Sequence, residues 1–126
     1  MESARRILEL MFLTAWADGK LEGSEALAIH KLVAHEPLLR EAGQTADVDR
    51  VTKRQMAERG LEACVREAAA AITHPVQREL AFRSCAKVSG ADGAFVEQEG
   101  TVLRLLREAW DLSPEDVQRL LVLATR

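Results

Sequence analysis

Ala17-Asp18-Gly19-Lys20-Leu21-Glu22-Gly23-Ser24-Glu25 aligns without a gap with Ala91-Asp92-Gly93-Ala94-Phe95-Val96-Glu97-Gln98-Glu99, and Asp92 stands 74 residues after Asp18. In both stretches Asp, Gly, a large apolar residue two places after the Gly, and Glu fall at the same offsets. Gly after Asp is how a helix ends, because glycine enters the left-handed region cheaply and Asp can bond its own turn. An apolar, helically spaced segment flanks each copy on both sides, so the repetition describes two helix–turn–helix halves related by pseudo-twofold symmetry.

The flanking segments extend this pattern along the chain. Ile7, Leu8, Met11, Phe12, Ala15 and Trp16 recur at three and four residues and mark the buried stripe of a first helix ending near Asp18-Gly19. Ala26, Leu27, Ile29, Leu32 and Val33 form the stripe of a second helix. Pro37 closes that helix or begins a short helical turn through Leu38–Ala42, with Gly43 as the stop. Thr45 or Asp47 is placed to cap a long helical segment from about Val48 to Ile72, which Gly60 bends or divides. His74-Pro75 ends one helix and starts another, which carries Val76, Leu80, Ala81, Cys85 and Val88 towards Gly90. Val102, Leu103, Leu105, Leu106, Ala109 and Trp110 make a further stripe. Ser113 and Pro114, followed by Glu115 and Asp116, open a last helix with Val117, Leu120, Leu121 and Ala124 inward. The expected fold is all-α: a compact bundle of about seven helices, one domain over residues 1–126, with no linker long enough for two.

Totals exclude several function classes. At 126 residues the chain can bury a core without disulfides or metal, and a net charge of −3 gives no basis for gripping a phosphate backbone, so no nucleic-acid partner is expected. Met1-Glu2-Ser3-Ala4-Arg5-Arg6 leads straight into a mixed pattern unlike a signal peptide, and the apolar runs are far shorter than the roughly 20 residues of a membrane span. A cytoplasmic protein with no membrane span is expected. Cys64 and Cys85 lack metal-ligand spacing and read as buried, reduced thiols. His30, His35 and His74 are too irregularly placed for zinc, and no phosphate loop or nucleophile motif occurs, so no enzyme is expected. Arg50, Lys53, Arg54, Arg59 and Arg66 form a basic run on the middle helices, either a solvated surface or a contact face for an acidic partner.

The turns themselves admit two readings. Asp-Gly-x5-Glu coincides with the second half of a calcium-binding EF-hand loop, but the positions four and two residues before the Asp hold Thr14 and Trp16 in one copy and Val88 and Gly90 in the other. A complete EF-hand is therefore not expected. The carboxylates of both turns, with Glu22 and Glu97 as surplus acid, would repel if brought together unless a cation or basic partner neutralised them. Alternatively the residues are architectural: Glu25 and Glu99 fall near the third position of the following helix, where a carboxylate meets free backbone N–H groups.

Doubled A-D-G-x5-E turns between amphipathic helices, in an all-helical chain of this length, resemble the TerB-like (tellurite resistance protein B) family. The resemblance runs from about Ile7 to Leu121 and includes the closing Leu112-Ser113-Pro114-Glu115-Asp116 helix start. It implies a seven-helix pseudo-symmetric fold, a cytoplasmic bacterial setting, no established catalytic activity, and a divalent cation bound by acidic residues. By position these are Asp18, Glu25, Asp92 and Glu99, with Glu22 and Glu97 in support. Many relatives carry a second acid directly before the Glu, where this chain has Ser24 and Gln98, and the polar segment 43–55 is an insert in so symmetric a chain. The resulting expectation is a noncatalytic TerB-like protein with a stress-response or scaffolding role that binds a protein partner or a second copy. The alternative is a plain interaction or dimerisation module whose acidic turns are only helix caps.

Overall fold

A computed structural model describes residues 2–17, 23–42, 45–89 and 97–124. Among them stand eight helices and no strand: α1 (Glu2–Trp16), α2 (Gly23–His35), α3 (Pro37–Arg40), α4 (Thr45–Arg59), α5 (Leu61–Ala71), α6 (Pro75–Ser89), α7 (Glu97–Ala109) and α8 (Pro114–Ala124). The expected bundle forms, and Pro37 begins the short α3 rather than merely closing α2. Gly43 lies outside the described residues.

The duplication is visible in the helix boundaries. α2 and α7 each run 13 residues, and both ends of α7 stand 74 residues after those of α2. α1 and α6 each run 15 residues. Packing follows the same exchange: α1 lies against α6, α1 reaches across to α7, and α6 reaches across to α2.

α1 is the central element and also touches α2, α3, α4 and α5. Ala4, Ile7, Leu8, Leu10, Met11, Phe12, Leu13 and Ala15 are all buried, so the helix is apolar around most of its circumference rather than along one stripe. Thr14 is buried with them, and its hydroxyl donates to the Leu10 carbonyl at 2.8 Å, the back-bond that lets a hydroxyl enter a core. α6, packed by α1, α2, α7 and α8, is buried on several sides in the same way, through Ala81, Phe82, Ser84, Cys85, Ala86, Val88 and Ser89.

Two breaks shape the other half of the bundle. Gly60 takes φ 88° and ψ 158°, a conformation open essentially to glycine alone, and splits the long middle segment into α4 and α5. Across this break Arg59 pairs with Glu67, which Arg6 of α1 also approaches at 3.7 Å; the Arg59 guanidinium holds the Glu67 carboxyl below its usual range. α7 ends in a Schellman motif, with Asp111 at φ 50° and the Leu112 N–H donating to the Arg107 carbonyl at 3.1 Å. Ser113 caps α8 as expected, its hydroxyl accepting from the Asp116 N–H at 3.1 Å.

Several stripe residues lie outside the core. Leu27 is 53% and Val76 66% exposed, and Ala109 and Leu121 also face solvent. α2 buries only Glu25 and Ile29, and the first turn of α6 leaves Val76 in solvent.

Candidate functional site

The two sequence-predicted glutamates occupy the same place in their helices. Glu25 is the third residue of α2 and Glu99 the third of α7. The first turn of a helix presents N–H groups without intrahelical partners and the positive end of the dipole, a setting that favours a carboxylate. Glu25 is only 1% exposed and is engaged within the protein. A carboxylate so far from water is tolerated only with compensating donors or charge. Glu97 opens α7, but its side chain and that of Glu99 lie outside the described residues, as do Asp18, Glu22 and Asp92.

Where the turns depart from the bundle is described. The Cys85 thiol of α6 lies within hydrogen-bonding reach of the Thr14 hydroxyl of α1. At a rise of about 1.5 Å per residue, that contact is about 3 Å along the axis from the end of α1 and about 6 Å from the end of α6. The two helices therefore touch near the ends that precede Asp18 and Asp92 in sequence. Burial pushes the Cys85 thiol up to about 12, with the Thr14 hydroxyl pulling weakly the other way. So buried and so firmly protonated, Cys85 is a structural thiol rather than a reactive one.

Over residues 4–122 the sequence matches the family described as tellurite resistance protein TerB. The chain belongs to the TerB family. No curated protein and no solved structure matches it. In this TerB chain the match runs from α1 into α8 and includes both turns.

Beside the first turn the TerB chain is braced by residues that sequence reasoning missed. Trp16, the last residue of α1, donates its indole N–H to Asp49 Oδ1 at 2.7 Å, and Lys53 Nζ lies 4.4 Å from the ring centroid. Asp49 and Lys53 are one turn apart on α4, so a single helix face supplies an acceptor and a cation to one indole. A tryptophan at a helix end needs a partner for its N–H, but sequence does not say which acid supplies it. Trp110 is held differently: it donates to the Ala69 carbonyl at 3.0 Å and lies under Arg78 at 5.7 Å.

The remaining candidates fall into ordinary places. His30, His35 and His74 are exposed, and His74 Nδ1 accepts from the Val76 N–H at 3.2 Å at the start of α6. Cys64 and Cys85 are buried free thiols. Within the basic run Arg50 pairs with Asp47, Arg59 with Glu67 and Arg66 with Glu62, exposed ion pairs of little net strength. Asp47 thus serves an ion pair. Among the described residues no three ligand-type side chains gather for a metal. The acidic turn residues are hard oxygen donors of the kind that hold calcium or magnesium, and buried Glu25 is the one whose surroundings are described.

Proposed function

We propose that this TerB protein is a noncatalytic helical protein that binds one divalent cation between its two turns, through Asp18, Glu25, Asp92 and Glu99, with Glu22 and Glu97 in support. The observation that carries this reading is the burial of Glu25 in the first turn of α2. Carboxylates from two such turns form a repulsive cluster, and a hard cation taking six to eight oxygens neutralises it, with carbonyls and water completing the shell. The ion acts as a clasp between the pseudo-symmetric halves, and the protein serves in the cytoplasm as a stress-response or scaffolding component for a protein partner or a second copy.

Placement of both glutamates at the third helical position favours a second reading, in which the turns are caps and the protein is a plain interaction module. Calorimetric titration with calcium, magnesium, manganese and zinc separates the two. Binding heat in the wild type that disappears in the Asp18→Asn/Asp92→Asn double variant supports the cation clasp. A wild type without heat at millimolar metal leaves only the caps.

A further inference from the structure

A cavity with two cationic side chains in its lining lies between α2 and α6. Leu32 and Leu80 line an apolar side of a cavity of about 160 Å³, and Arg83, Ser84 and Lys87 line it from α6. Arg83 Nε is buried and has no hydrogen-bond acceptor among the described residues. A buried guanidinium N–H without an acceptor is costly, and in native proteins such a group calls for a partner. Lys87 stands one turn further along the same face, close enough for the two cations to repel. The ion pairs among the described residues use neither of them. His35 and Glu36 complete the rim from the end of α2, so one acid opposes two permanent cations.

From this the geometry points to a binding site for a phosphate group, held by Arg83 and Lys87 with the Ser84 hydroxyl beside them. A dianion matches two fixed cations, and a guanidinium provides several N–H donors to its oxygens. The size agrees: the cavity has room for several waters at about 30 Å³ each, yet is smaller than the roughly 300 Å³ at which drug-sized ligands begin. The site is independent of the acidic turns and does not require that they bind metal.

Inorganic phosphate titrated into the full chain, followed by calorimetry and by amide shifts in α2 and α6, tests this. Saturable binding is expected, weakened about tenfold or more in Lys87→Gln and again in Arg83→Gln, because hydrogen bonds to charged groups are the strong ones. Glu36→Gln should tighten it severalfold, and Arg54→Gln, at an exposed position on α4, should leave it unchanged. Vesicles of phosphatidylcholine with and without phosphatidic acid identify the source: retention by phosphatidic acid that phosphate competes away marks a lipid headgroup, and phosphate binding without retention marks a soluble ligand. Absence of saturation, equal affinity in wild type and Lys87→Gln, or vesicle binding that phosphate does not displace would each overturn the assignment.

Discussion

Cys85 keeps its proton to about 12 because burial penalises the thiolate. Its native pKa lies above the unfolded value, so its contribution to stability is complete below ordinary thiol pKa values and is lost as pH rises towards 12. Each unit of difference is worth about 1.4 kcal/mol, and the Cys85→Ala variant should therefore lose less stability than wild type between about pH 9 and 12 in denaturant melts. Burial also raises the Cys64 thiol. Neither thiol should react with a disulfide reagent at neutral pH until the chain unfolds. Both cysteines were legible as core residues from their apolar surroundings, and Glu25 was legible as the third residue of its helix. The partners of Trp16 were not, because Asp49 and Lys53 meet it across a sequence gap that no local pattern spans.

Helix boundaries were readable wherever a residue carries its own backbone instruction. Gly60 is the clearest case: an added Cβ would meet no atom within 4 Å, so Gly60→Ala is penalised by the backbone alone. It should cost about 1–3 kcal/mol in chemical denaturation. Asp111 holds a left-handed conformation that glycine adopts more cheaply, and Asp111→Gly should raise stability by roughly 0.5–1 kcal/mol. Removing the α8 cap with Ser113→Ala should cost about 1 kcal/mol. Burial was harder to read than boundaries. α6 hides Ser84, Ala86 and Ser89, small residues that carry little apolar signal, because other helices surround it. Leu27 and Val76 fit a helical stripe but face outward, since spacing gives a face without saying what covers it.

At the scale of the molecule the described helices form two halves of matching helix lengths, with α1 packed on α6 at the centre and α2 and α7 each reaching the opposite half. The gapless repeat made the paired helices readable, whereas the packing of α1 on α6 has no local sequence signal. The proposed clasp belongs to this scale: one cation held by both turns would tie the halves together and stabilise only the folded chain. The decisive measurement is the melting temperature of chelator-treated wild type, Asp18→Asn, Asp92→Asn and the double variant, each with and without millimolar calcium, magnesium, manganese or zinc. A shared clasp predicts that at least one metal raises the wild-type value by several degrees, and that either single substitution removes nearly all of the rise. An unmoved wild type, or single variants that each keep a substantial rise, would contradict it.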